Sequence, residues 1–141
     1  MSNFMFKITS MAKLLKQIDD LKKKDHIIEA LRANGNLNLK KILNGIYNPE
    51  VKFVLPEGTP PYRPSKFDEP KALLGEINRL YLFVEGGNDN LKPIRREQLF
   101  IEILEHINVD DAELLIAMKD KKNPFKHINE KIIREAFPEM F

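Results

Sequence analysis

The residues that could do acid–base or metal chemistry are few, and their spacing matches no familiar site. The chain has three histidines, His26, His106 and His127, and none lies in the HExxH or HxE pattern of a zinc enzyme. Glu102, Glu105 and His106 share part of one helix face, because residues three and four apart are neighbours on a helix. A di-iron site needs Glu-x-x-His on two helices, which this sequence lacks. We therefore interpret the group as a solvated polar face.

The glycine-rich stretch and the hydroxyl residues also lack the context that their chemistry needs. Residues 86–90 read GGNDN, without the Gly-Lys-Ser/Thr of a phosphate loop or the repeated Asp of a calcium loop. This stretch is typical of a helix end followed by a turn. No Ser lies in a Gly-x-Ser-x-Gly elbow, and the chain has no Cys, which excludes thiolate zinc sites and cysteine nucleophiles. We expect a protein that is not an enzyme and that uses no cofactor or metal.

The apolar spacing predicts an all-α fold in one domain over residues 1–141. Apolar residues repeat at three and four positions in a basic N-terminal part, 8–47, and in a C-terminal helical core, 71–138. They indicate six to seven short helices in a compact bundle. Ser10 and Asn108 are predicted N-caps, and the helix after Asn108 is expected to be the most buried because its body is apolar all round. A further helix is predicted from Leu73 to Val84.

A proline-rich stretch separates the two helical parts. Six of the nine prolines lie between Pro49 and Pro70, and a helix does not cross such a stretch because Pro lacks an amide N–H and clashes in a helix interior. We predict a long extended arm over about 48–70 that packs on the helices, since linkers rarely carry so many apolar residues. The alternative is a linker between two subdomains. Within the arm, residues 51–55 are expected to be extended without a partner strand.

The composition places the chain among globular proteins. It has 141 residues, of which 43% are apolar and 31% are charged, a balance unlike that of disordered chains. No apolar run approaches the ~18–20 residues of a membrane span, and we find no signal peptide pattern. These observations predict an intracellular protein with no membrane partner.

The charge is unevenly distributed along the chain. Residues 1–48 hold nine Lys and Arg against four Asp and Glu, whereas residues 49–141 hold fourteen against seventeen. The basic part could contact phosphates without reading bases. The outline of a helix-turn-helix over 25–47 fits poorly, since Leu31 falls where a small residue is needed, so an ordinary αα-hairpin is expected. The candidate nucleic-acid contacts are Lys13, Lys16, Lys22, Lys23, Lys24, Lys40 and Lys41.

Seven segments, in the same order along the chain, resemble a family of uncharacterised small proteins of tailed myovirus phages, especially marine phages of cyanobacteria and vibrios. The resemblance covers roughly residues 44–138 and implies a phage gene expressed in the host's bacterial cytoplasm. It assigns no activity, cofactor or functional residue. The segments are 48–53 (NPEVKF), 55–62 (LPEGTPPY), 79–89 (RLYLFVEGGND), 96–101 (REQLFI), 112–117 (AELLIA), 119–122 (KDKK) and 135–138 (EAFP).

Three functions follow from these observations. The first is a non-enzymatic interaction protein that binds a host or phage protein, with Tyr62, Arg63, Phe67 and Tyr81 as candidate interface residues, because these residue types are frequent at interface hot spots. The second is a nucleic-acid-binding accessory protein of phage replication or transcription. The third is a virion component or a homo-oligomer.

Overall fold

Helices account for all the regular secondary structure that the described residues contain. The computed structural model describes residues 10–66 and 69–141, which confirm the all-α prediction. Phe67 lies outside this part of the chain. The elements are α1 (Met11–Asp19), α2 (Lys24–Ala33), α3 (Leu37–Tyr47), α4 (Ala72–Glu76), a 3-10 helix (Ile77–Phe83), α5 (Pro93–His106), α6 (Val109–Lys119) and α7 (Glu130–Ala136).

Short polar side chains begin several of the helices. The Ser10 hydroxyl accepts a hydrogen bond from the Lys13 N–H at 3.2 Å, and the Asn108 amide oxygen accepts one from the Asp111 N–H at 2.9 Å. Both predicted N-caps are therefore confirmed. Each cap satisfies one of the N–H groups that the first turn of a helix leaves without a partner. Asn36 and Asn129 cap α3 and α7 in the same way.

Helix α6 lies at the centre of the core. Seven of its eleven residues are buried, more than in any other described helix, as its apolar body predicted. It packs against α1, α3 and α5, while α2 packs against α7. Fully buried side chains from separate helices, such as Leu15, Leu43, Leu104 and Leu115, belong to one apolar cluster.

Buried polar groups tie distant segments to these helices. The Asp19 carboxylate, at the end of α1, accepts hydrogen bonds from the backbone N–H groups of Lys126, His127 and Ile128 at 2.8–3.2 Å. The Arg96 guanidinium on α5 is buried and donates to three backbone carbonyls between residues 82 and 91. A buried charge is tolerated when it is hydrogen-bonded in this way. Within the described residues, every buried side-chain nitrogen and oxygen has a partner.

The predicted single helix from Leu73 to Val84 is wrong. Helix α4 ends at Glu76, and a 3-10 helix continues to Phe83. Side chains three apart share a face of a 3-10 helix, so Ile77 and Phe83 are both buried whereas Tyr81 is 55% exposed. The tighter period therefore leaves the Tyr81 ring exposed, on a different face from Ile77 and Phe83.

Residues 51–55 also differ from expectation, because they have a partner. Phe53 forms an antiparallel bridge with Val84. The Val54 N–H donates to the Phe83 carbonyl at 2.7 Å, and the Glu85 N–H donates to the Lys52 carbonyl at 2.8 Å. No sequence pattern indicates this pairing, because the partner residues lie in a stretch whose spacing predicts a helix.

Candidate functional site

A buried lysine fixes the proline-rich segment against the end of α6. The Lys119 ammonium donates to the carbonyls of Pro56 and Gly58 at 2.9 and 2.6 Å and to the Asp120 carboxylate at 2.6 Å. The Lys119 and Asp120 side chains are only 2% and 7% exposed. All three ammonium hydrogens therefore have acceptors, and the backbone around Pro56 is held in place.

The same segment has further contacts along its length. The Asp120 carboxylate accepts the Gly58 N–H at 3.2 Å, where a φ of 95° favours glycine. Farther along, the Arg63 N–H donates to the Glu105 carboxylate on α5 at 2.7 Å. Tyr62 is partly buried against the core. Its pKa is raised by burial and, secondarily, by the negative charge of Glu113 on α6. Residues 56–63 thus cross α6 and reach the end of α5.

A groove of about 370 Å³ opens between residues 55–61 and helix α5. Its lining is mostly apolar, and its volume falls in the lower part of the ~300–1,000 Å³ range of ligand pockets. The Phe100 ring lines the groove and meets the buried Phe83 ring edge-on, at 5.3 Å between centroids. The lining side chains include Leu55, Pro60, Pro61, Glu97, Ile101 and Lys119.

The groove offers few hydrogen-bond donors. The Lys119 ammonium already donates its three hydrogens within the protein, and the Gly58 N–H donates to Asp120. The prolines at 56, 60 and 61 have no backbone N–H. The Thr59 hydroxyl is the other side-chain donor among the lining residues that the structure describes. A phosphate or a carboxylate would find few free side-chain donors here, whereas apolar groups would be covered on several sides.

One carboxylate in this groove has no cationic partner among the described residues. Glu97 is half-buried, and no Lys, Arg or His in the described ranges pairs with it. It lies between Ile94 and Ile101 on one face of α5, since positions i, i+3 and i+7 lie close together on a helix. Ile94 is 70% exposed. This face of α5 therefore combines apolar surface with an unpaired negative charge.

The predicted interface residues lie at or outside the edge of this groove. Tyr62 and Arg63 directly follow its wall, and the exposed Arg63 side chain has no acidic partner in the parts of the chain that the structure describes. Tyr81 lies on the 3-10 helix, outside the groove lining. Phe67, the fourth candidate, falls outside the described residues.

Several of the lysines in the predicted basic face contact acidic residues of the C-terminal half. Lys24 pairs with Glu135 at 2.8 Å, and Lys40 pairs with Glu139 at 3.3 Å and lies 5.1 Å from the centre of the Phe137 ring. Lys13 approaches Asp110 at 4.0 Å. The opposite charges of the two halves therefore partly neutralise each other in the folded chain.

The remaining candidate lysines are more exposed. Lys16 pairs with Asp20 within α1 at 3.7 Å, and Lys41 donates to the Asn78 side chain at 3.1 Å. Lys22 and Lys23 are exposed at the turn between α1 and α2, and neither has an acidic partner in the described part of the chain. The structure thus leaves a small cationic turn rather than a continuous basic stripe.

The sequence does not identify the groove residues as a site. A cation such as Lys119 at the end of a helix is favourable for the helix dipole whatever its other contacts, and Glu97 and Ile101 occupy ordinary positions of a helix. A lysine and an aspartate at the end of an apolar helix are only a weak indication of such a site. Nothing local indicates that their partners lie more than 60 residues away, at Pro56 and Gly58.

The described residues form an all-α fold with a groove beside α5 that suits apolar groups. Residues 14–124 match the model of a family of unknown function, DUF6433, and the chain belongs to that family. No curated protein and no solved structure matches it. In the described residues no group of three or more His, Asp or Glu side chains is placed to hold a metal ion. No described helix is both long and apolar enough to span a bilayer.

Proposed function

We propose that this chain is a non-enzymatic interaction protein that binds another protein. The observation that carries the proposal is the groove beside α5, whose lining is apolar and whose wall is fixed by the buried Lys119–Asp120 pair. Apolar grooves with rigid walls suit protein segments, because little conformational entropy is lost on the receptor side. The prominent exposure of Ile94 and Tyr81 adds apolar surface of the kind used at interfaces.

The origin and cellular location belong to the same proposal. The resemblance of segments such as 79–89 and 96–101 to small myovirus proteins supports a phage-encoded chain that acts in the cytoplasm of a bacterial host. A phage protein that binds a host or phage partner would need no catalytic centre. In this proposal, the described residues of the 48–70 arm are fixed on a helical bundle, and the chain acts as one domain.

Nucleic-acid binding is the competing function, and the ion pairs count against it. Lys13, Lys24 and Lys40 are engaged by acids from the other half of the chain, so fewer cations remain to release counterions from a phosphate backbone. The exposure of the Lys22 and Lys23 side chains is the observation that favours this second function. It predicts an affinity for DNA or RNA that falls steeply with salt, whereas the protein-binding function predicts no such dependence.

Affinity capture tests the proposed function. The tagged full-length chain is recovered from infected bacterial cells, with and without nuclease, and bound proteins are identified by mass spectrometry. We expect a protein partner that is retained after nuclease treatment and whose binding is weakened by Tyr81→Ala or Arg63→Ala, which are substitutions of exposed side chains. Lys23→Ala is the matched control. Loss of all proteins after nuclease, or loss of binding only in Lys23→Ala, would instead favour the nucleic-acid function, and recovery in purified virions would indicate a structural component.

A further inference from the structure

The unpaired carboxylate in the groove limits what the groove can bind. Any apolar group that fills the space beside Phe100 and Ile101 also removes water from the half-buried Glu97. Burying a carboxylate without a partner is costly. An occupant that binds well must therefore supply a cation to Glu97 as well as apolar surface.

We propose that the groove binds a segment of another protein in which a large apolar side chain lies beside a Lys or an Arg. This inference rests on the proposed function and adds to it the binding site and the chemistry of the partner. The apolar side chain packs on Phe100 and Ile101, and the cation pairs with Glu97. An Arg is the stronger partner, because its guanidinium can bind a carboxylate through two parallel hydrogen bonds.

The other polar groups of the groove disfavour an anionic occupant. Lys119 is saturated by two carbonyls and the Asp120 carboxylate. The prolines of the facing wall have no N–H, and the rim charges Glu57 and Lys122 pair with each other at 3.5 Å. Glu97 is the charge that the groove leaves for a partner, and its sign selects a cation.

The groove is also formed before any partner arrives. Lys119 and Asp120 bind the carbonyl and the amide N–H of Gly58, and the Phe100 ring packs edge-on against the Phe83 ring. Binding to such a site costs little ordering of the receptor, so a short segment can bind measurably on its own. This makes a peptide a suitable probe.

A displayed library of random 12-residue peptides, selected on the full-length protein, tests the proposal. Enriched peptides are synthesised with a fluorescent label, and their affinity is measured by anisotropy. We expect a large apolar residue close to a Lys or Arg in the enriched set. Glu97→Lys should weaken binding about tenfold or more, as loss of a desolvated charge pair does, and Glu97→Gln should weaken it less. Glu102→Lys, exposed on the same helix and 3.8 Å from Arg95, is the matched control.

Several results would overturn the assignment. These are no enrichment, enriched peptides without a cation, and equal affinity for the unmodified chain and Glu97→Lys. A variant at an apolar wall, Ile101→Ala, should also reduce affinity while the circular dichroism of the helices is unchanged. If a nuclease-resistant partner captured from cells binds Glu97→Lys normally, the interaction function stands and the groove assignment fails. If no such partner exists, the proposed function itself fails.

Discussion

Removal of the Lys119 ammonium is the sharpest test of how the groove wall is held. In Lys119→Met the side chain keeps a similar length, but Pro56, Gly58 and Asp120 each lose a donor that now lies at 2.6–2.9 Å. Removing one partner of a buried ion pair costs about 3–5 kcal/mol. We take the lower end, about 3 kcal/mol, because water from the adjacent groove can reach the exposed acceptors. In a chain of this size that corresponds to a fall in Tm of roughly 10 °C.

Urea denaturation followed by circular dichroism measures this loss, with Lys122→Met as the matched control. Lys122 also pairs with an acid, Glu57, but the two side chains are 68% and 76% exposed, so its replacement should cost less than about 1 kcal/mol. Hydrogen exchange adds a local measurement, since the Gly58 amide should exchange faster in Lys119→Met once Asp120 is free to move. A loss below about 1 kcal/mol for Lys119→Met, together with unchanged exchange at Gly58, would refute the argument.

Three further predictions concern backbone strain and titration. Lys22→Gly should stabilise the chain by about 1 kcal/mol, because a φ of 68° is costly for a side-chain-bearing residue. Lys121→Gly, at a φ of 54°, should gain nothing, because it also loses the hydrogen bonds of the Lys121 ammonium to the carbonyls of Gly45 and Asn48; chemical denaturation compares the two variants. Gly87→Ala should destabilise by about 1–3 kcal/mol because its Cβ would overlap a carbonyl oxygen of the 3-10 helix, while Gly75→Ala, in an open helical position, should be neutral or stabilising in the same assay. Burial raises the pKa of Tyr47 above its usual value near 10. The stability that the protonated Tyr47 side chain contributes is therefore complete below pH 10 and is lost above it by up to about 1.4 kcal/mol per pH unit. Between pH 9 and 11 the denaturation midpoint should fall less for Tyr47→Phe than for the unmodified chain.

The features that could be predicted from the sequence depend on neighbours along the chain. A helix repeats its apolar face every three or four residues, and a cap such as Ser10 binds an N–H only three positions ahead. The apolar body of α6 likewise indicated burial from within its own eleven residues. In each case the evidence for the feature lies within one or two helical turns, where a single sequence can be interpreted.

The Leu73–Val84 region shows where this approach fails. The spacing there fits an α-helix about as well as a 3-10 helix, and contacts from elsewhere decide between them. Phe53 pairs with Val84, which is extended at the helix end, and the Phe83 ring packs on Phe100. The exposure of Tyr81 follows from that choice. Its residue type made it an interface candidate, but the spacing of the segment does not indicate whether the ring is exposed.

The groove escaped prediction for a related reason, which also bears on its function. Its wall depends on a charged side chain bound to backbone carbonyls about 60 residues away. Arg32 binds the Ala136 carbonyl in the same manner across more than 100 residues, and the Asp19 carboxylate accepts the His127 N–H at a similar separation. A carbonyl occurs at every residue, so no residue type identifies the partner of such a charge. Charged side chains of this kind are already paired within the fold and are not available to bind a ligand. Glu97 is different, because it is half-buried in the groove lining and no cation among the described residues pairs with it. For this reason the occupant that we propose for the groove carries a complementary charge.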